Sequence, residues 1–436
     1  MTARFREREL QQRLADLYVG PMPEYRDDVL KRVARTPQRP AWTFRERWLP
    51  RSVVTSRIAT APPIRWRTIA ILGLLLIALV AGTVLVIGSQ RQQLPPPFGP
   101  AANGSLLYSW EGDILTRETL SGKPRVLIGG DANDVGPEYA PDGTKFLFFR
   151  AGLESEIRPP PEADLWVANV DGSDPVKVGG PYPYCCWVDW SPAGDRIAVG
   201  YYDETAGQDV IDIVRSDGSG SSRLDVGMPV GMPAFRPTDG SQLLFRGRAI
   251  DGKGWALYLA NGDGSSARRL TLLPDAGYGS DDDFVDPAWS PDGAHLAYVV
   301  VDAVEGAPGG TGQRIHVADI ASDGTVTADE RLTRTVDAEA EYSPLWLPTG
   351  DGIVYRQFRG TGEEVWDATV DGVRAPRYLG VSAGSGVPTT ISPDGTQALA
   401  LNTNTHLLSV IDLATGEVHQ HFNAEDGVVF QRRALP

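Results

Sequence analysis

The chain of 436 residues has only two cysteines, and they are neighbours, Cys185 and Cys186. That count excludes a disulfide framework as the source of stability, so a chain of this length must rely on a hydrophobic core. Histidine is almost as scarce: there are five, the first of them His295. His295, His316, His406, His419 and His421 show no H-E-x-x-H or similar metal-ligand spacing. His419 and His421 share one strand face, where solvated side chains are the simpler reading than a metal pair. Positive charge is also in deficit, with 41 Lys and Arg against 56 Asp and Glu and a net charge of −15. No nucleic-acid partner is expected of so acidic a chain. Lysine is rare beside arginine, as in proteins of GC-rich bacterial genomes.

Long apolar runs are absent with one exception. Thr68 to Ser89 is 22 residues without a charge. At 1.5 Å per residue, a helix of this length reaches about 33 Å and crosses the hydrocarbon core of a bilayer. A secretory signal peptide would have a shorter apolar region nearer the N-terminus and a small-residue cleavage site. The run therefore reads as a single transmembrane helix. Residues 1–67 hold 15 basic and 7 acidic residues, a net of +8, which leaves −23 for the remainder. Arg57, Arg65 and Arg67 precede the run, and after Arg91 no basic residue occurs before Arg117. The positive-inside rule then places the N-terminus in the cytoplasm and the C-terminal part outside, in the periplasm or envelope.

Residues 1–67 read as a basic cytoplasmic segment. Phe5, Leu10, Leu14, Leu17 and Tyr18, then Val29, Leu30 and Val33, suit one or two short amphipathic helices. Arg35 to Pro50 adds three prolines with Trp42, Phe44 and Trp48 among arginines. This stretch resembles the cytoplasmic heads of membrane-anchored bacterial sensor and anti-sigma-like proteins. It also suits a polybasic aromatic belt on anionic lipid, worth about 1 kcal/mol per near-surface basic residue. Two partners are thus open for it, the lipid bilayer and a cytoplasmic protein. Residues 90–103 form a Pro-rich linker, stiffened by Leu94 to Pro100.

From residue 104 onward the chain repeats. Six turns recur about 45 to 57 residues apart, a blade-like spacing: Pro141-Asp142-Gly143, Pro192-Ala193-Gly194, Pro237-Thr238-Asp239-Gly240, Pro291-Asp292-Gly293, Pro348-Thr349-Gly350-Asp351-Gly352 and Pro393-Asp394-Gly395. Each precedes a short apolar strand, and Trp190, Phe235, Trp289 and Trp346 stand just before four of them. Proline presets φ at the first corner and glycine supplies the positive φ of a tight reversal. A second signature, a strand ending in Asp-Gly or Thr-Gly, occurs seven times when residues 104–128 are included. Seven outer halves and six inner halves describe a ring whose first blade borrows its innermost strand from the far end of the chain. Val428 to Gln431 is the strand expected to pair there with Leu106 to Trp110. The predicted fold is all-β, a seven-bladed β-propeller over 104–436, with six blades as the alternative if the first unit is an irregular entry strand.

These repeats resemble the TolB-type β-propeller family. Trp289-Ser290-Pro291-Asp292-Gly293 carries one family element in full, and Arg269-Leu270-Thr271 and Arg331-Leu332-Thr333 carry the other. Ala193 and the inserted Thr238 depart from the pattern. The resemblance implies a propeller and little about function, since the family includes scaffolds, binding proteins and the propeller domains of peptidases.

Gly380-Val381-Ser382-Ala383-Gly384 spells the nucleophile-elbow pattern. That elbow requires a strand-to-helix turn on an α/β sheet, whereas this serine falls in a Gly/Ser-rich connection. No catalytic constellation emerges, and the expectation is a non-enzyme without a resident cofactor. Acidic residues are the remaining candidates. Asp131, Asp134, Glu138, Asp281, Asp282, Asp283, Asp286, Asp337, Glu339 and Glu341 all read as preceding innermost strands, where they would crowd the mouth of the central channel. Such a rim favours a basic protein, a small cationic ligand or Ca²⁺, although no loop spells a complete calcium pattern. Solvation of an acidic surface is the simpler alternative. Cys185 and Cys186 either stay reduced or close a strained vicinal disulfide at a blade entrance. The functional expectation is an envelope binding or sensing module. A structural envelope scaffold and a propeller hydrolase or lyase with a dispersed metal site remain the alternatives.

Overall fold

A computed structural model describes residue 31 and residues 98–435, apart from 153–161, 184–185, 249–254, 271, 273–285, 304–310, 334–339, 360–361, 380–386 and 403–404. The expected cytoplasmic helices and the transmembrane helix at 68–89 lie outside the described residues. Among the described residues no helix is long and apolar enough to cross a membrane.

From residue 98 onward the described chain consists of strands joined by turns and loops. Its first sheet joins β1 (Ala102–Trp110), β2 (Asp113–Arg117) and β3 (Arg125–Ile128) to the last strand of the chain, β28 (Asp426–Arg433). Four-stranded antiparallel sheets follow in order: β4 (Asn133–Tyr139) to β7 (Val176–Pro183), then β8 (Trp187–Trp190) to β11 (Ser221–Arg223), then β12 (Val230–Phe235) to β15 (Arg268–Arg269). The next eight strands run from β16 (Ala288–Trp289) to β23 (Arg377–Tyr378). They join through a single parallel pair, Gln313 with Ala340, between β18 (Thr311–Ile320) and β20 (Ala340–Trp346). A last sheet comprises β24 (Val387–Ile391) to β27 (Val418–Asn423). This is a β-propeller.

Local chemistry explains the repeating hairpins. In the turn after β4 the Asp142 carboxylate accepts hydrogen bonds from the Thr144 backbone N–H (2.9 Å) and hydroxyl (2.8 Å). Gly143, at φ 68°, closes the turn by donating its N–H to Ala140 O at 2.8 Å. A Cβ at Gly143 would lie 2.5 Å from Arg432 O, so this turn needs glycine both for its φ and for its approach to β28. The degraded repeat at Pro192 folds the same way without an Asp in the turn. There the Ser191 hydroxyl donates to Asp195 at 2.8 Å and Gly194 N–H reaches Ser191 O at 2.8 Å. The second signature is an Asx turn: Asp171, Asp217, Asp263 and Asp323 each accept from the backbone N–H two residues on, at 2.8 to 3.0 Å.

Period-two alternation sends side chains to both faces of each sheet, and the core sits between neighbouring sheets. Leu147, Leu165, Trp190, Ile197 and Val199 fill one such seam, and Leu244, Leu259, Trp289, Leu296 and Ile320 another. Arginines reinforce the seams near the proline turns. Arg236 donates to Gly293 O (2.7 Å), Ile320 O (2.8 Å) and Ala321 O (2.9 Å), with its guanidinium 5.0 Å from the Trp289 ring centre.

β28 pairs with β1 as expected for 428–431, with Leu106 opposite Phe430 and Leu107 opposite Val429. The pairing extends to Ala102 opposite Arg433, so the first strand begins two residues before 104. Deleting residues 426–436 strips β1 of this partner and removes Val428 and Phe430 from the seam they share with Leu399, Leu401 and Val410. The full chain in detergent should then melt at lower temperature and aggregate; Phe430→Ala alone should cost about 3–5 kcal/mol. Unchanged melting and light scattering of the truncated chain would contradict this closure.

Candidate functional site

The innermost strands approach the proline turns with an aromatic or branched side chain, and the residue just before it faces the hollow centre. Across the sheets this position reads Glu138, Asp189, Ala234, Ala288, Leu345 and Thr390. Two consecutive sheets thus place a carboxylate where the others place a small or neutral side chain. The surrounding space forms two hollows of about 330 Å³ each, which share Phe98, Asp189 and Arg432. Tyr139, Trp190, Phe235, Trp289, Trp346 and Phe430 contribute to their walls.

Glu138 and Asp189 are half-buried, with their side chains lining the hollow. Burial pushes Glu138 up to about 8, and the nearby Asp189 carboxylate adds to the rise. Burial likewise raises Asp189 to about 7, opposed by the Phe235 N–H, which donates to its Oδ2 at 2.6 Å. No such donor meets Glu138 among the described residues. Arg432, on β28, is the cation lining both hollows, and burial lowers it to about 10. It donates to the carbonyl of Gly99, holding the entry segment across this end of the channel. Ala101 N–H fixes the same segment to Pro393 O at 2.9 Å. Phe98 therefore sits against both hollows.

The acidic residues singled out from the sequence divide into different environments. Asp131 is exposed ahead of β4. Asp134 and Glu138 lie within β4, and Glu341 within β20, so these three do not precede innermost strands as expected. The strands start earlier than their apolar residues suggest, because Asn133 already pairs with Ala151 and Ala340 with Phe358. Asp134 is held by a two-pronged ion pair with Arg150, at 2.7 and 2.8 Å, and burial raises its pKa against the pull of that arginine. Glu341 is fully buried, accepting from the Thr333 hydroxyl and, at 3.4 Å, from Ile315 N–H. The Asp286 carboxylate accepts from the hydroxyl and the backbone N–H of Ser343, and burial raises its pKa against these bonds. Asp281, Asp282, Asp283, Asp337 and Glu339 lie outside the described residues, as do Ser382 and Cys185 with its proposed bond to Cys186. Four residues along β4, about 13 Å, separate Asp134 from Glu138. Asp134, Glu341 and Asp286 are thus each met by a partner of their own.

Asp189, Arg432 and Phe98 escaped sequence reasoning. Asp189 carries a readable signal: it precedes Trp190 as Glu138 precedes Tyr139. Among the described residues no three or more His, Cys, Asp or Glu side chains gather in a way that would hold a metal ion.

No family model matches the chain. An uncharacterized protein of Agrobacterium fabrum is 25% identical over 197 residues, covering 44% of this chain and 48% of its own length. The chain thus spans about half the length of the curated relative it matches. An oligogalacturonate lyase from Vibrio parahaemolyticus superposes with a TM-score of 0.51 and 13% identity, over 74% of this chain and 93% of that one. A prolyl endopeptidase does so with a TM-score of 0.50 and 17% identity, over 74% and 50%. TolB from Acinetobacter baumannii gives a TM-score of 0.47 and 14% identity, over 77% and 81%. The first two likenesses are likenesses of fold.

The raised carboxyl groups set a direction for pH dependence. In the unfolded chain Glu138 and Asp189 lose their protons near pH 4, whereas the folded ring retains them to about 8 and 7. The folded state binds more protons through that window, so this contribution to stability is full at low pH and is lost as pH rises from about 4 to 8. Glu138→Gln should flatten the decline in melting temperature between pH 6 and 9. An equally steep decline in the variant would count against the assignment.

Proposed function

We propose that this chain is a single-pass envelope protein whose extracytoplasmic seven-bladed propeller captures a protein or a small cationic ligand, and that it acts by binding rather than by catalysis. The observation that carries this reading is the pair of half-buried carboxylates, Glu138 and Asp189, facing a hollow at the channel end. Among the described residues neither hollow is lined by serine, cysteine or histidine. The lyase and endopeptidase neighbours share the fold at identities of 13% and 17%, too low to transfer an activity.

The membrane part of the proposal rests on the uncharged run 68–89 and the charge asymmetry around it. A reporter fused after Pro436 should be active only outside the cytoplasm; activity of a cytoplasm-dependent reporter there would overturn the orientation. Partner capture is tested by crosslinking and affinity purification of the full chain from its native membrane. Binding of a basic partner should weaken as salt shortens the Debye length from about 10 Å at 0.1 M to about 3 Å at 1 M. The triple variant Asp281→Asn, Asp282→Asn, Asp283→Asn should weaken it further. Asp286 is left intact there because its contacts with Ser343 are structural. Capture indifferent to salt and to these substitutions would remove the acidic loops from the binding surface.

A further inference from the structure

We propose that the channel end at the proline turns is a site for a protonated alkylamine, an ammonium group on a slim apolar chain, with Glu138 and Asp189 as its paired counter-charges. This deepens the binding role proposed above and rests on it. Three observations converge on one place. The two carboxyl groups come from consecutive innermost strands and open into the same space, the hollow that Glu138, Tyr139, Asp189 and Trp190 line together. Glu138 is half-buried against the hollow and has no hydrogen-bond donor among the described residues, so its carboxylate is left for a partner that enters the hollow. The remaining walls are chiefly aromatic, proline and aliphatic, including Ala140, Pro141, Ile391, Pro393, Val429 and Phe430.

Together these features select the ligand. A charged head meets two acidic groups while a short carbon chain lies along apolar walls, and about 330 Å³ is ample for an alkylamine of four or five carbons. Calcium takes six to eight oxygen ligands, and beside the two carboxylates the walls here are chiefly apolar. Arg432 is the one cation lining this space among the described residues, and its contact with the Gly99 carbonyl orients it toward the entry segment.

The chemistry has a signature that surface attraction lacks. Burial favours the protonated form of both carboxyl groups, and Tyr139 and Arg432 are the other titratable groups lining this hollow among the described residues. An ammonium ion entering the hollow pairs with carboxylates and so drives out their protons, whereas an exposed acidic loop is already ionised and releases none.

The test uses the full chain in detergent micelles, titrated calorimetrically with n-butylammonium chloride, with n-butanol and with calcium chloride, in buffers of differing ionisation enthalpy. Butylammonium should bind, release close to one proton per ligand or more at pH 6.5, and release fewer at pH 9. Butanol should bind at least tenfold more weakly. The double variant Glu138→Gln, Asp189→Asn should lose at least tenfold in affinity together with the proton release. Glu138→Gln alone, which keeps Asp189 and its bond from Phe235, should show an intermediate loss. Binding without proton release, equal affinity in the double variant, or calcium binding that butylammonium does not displace would each overturn the proposal. Should butylammonium fail while a protein partner is still captured from the membrane, the binding-module reading stands and only the amine site falls.

Discussion

Every other contact in the ring presupposes that β28 finds β1. These strands are separated by more than 300 residues of chain, yet they supply the innermost and second strands of the same sheet. Closing so long a loop is entropically costly, and the cost is offset by backbone pairing plus the burial of Val428 and Phe430 against side chains of the last sheet. Sheets that pack side by side around a centre have no free lateral face once the ring is shut. Without the closing pair, both the first and the last sheet would present apolar faces to water.

The seams show how a degraded repeat keeps its geometry. Where the turn loses its aspartate at Ala193, Ser191 and Asp195 make the equivalent local bonds. Where an extra residue enters at Thr238, the backbone accepts φ 89° and Asp239 still binds Ser241 N–H at 2.9 Å. Arg196 and Arg236 then carry the next contact outward, each reaching carbonyl oxygens of the following repeat. Packing between sheets, rather than strict sequence identity of each turn, maintains the register. That tolerance leaves single positions on the inner strands able to carry charge, as Glu138 and Asp189 do.

Fold was far more legible in the sequence than site. Turn chemistry is local, so Pro-Asp-Gly and Asp-Gly marked hairpins that the structure forms, and the surplus of outer halves pointed to the closing strand. The site depends on which inner-strand residues face one another across the ring, a relation set by register and not by proximity in sequence. Clusters of acid drew attention to Asp134 and Glu341, which the fold commits to Arg150 and to Thr333. Asp189, a single carboxylate between Val188 and Trp190, gave no cluster to notice. Phe98 read as linker because its Pro-rich surroundings predict a spacer, while tertiary contacts draw it against the channel end.

The entry segment has a mechanical meaning as well. Gly99 is gripped by Arg432, Ala101 by Pro393, and Asn103 by Asp394 through bonds of 2.8 and 3.1 Å. Tension arriving from the N-terminal side therefore does not fall on one hairpin. It divides at once between the closing strand and the proline turn of the last sheet, the two elements that keep the ring shut. A load transmitted through this segment is borne by the circumference as a whole, and the same pull bears first on the residues that hold Phe98 at the channel end.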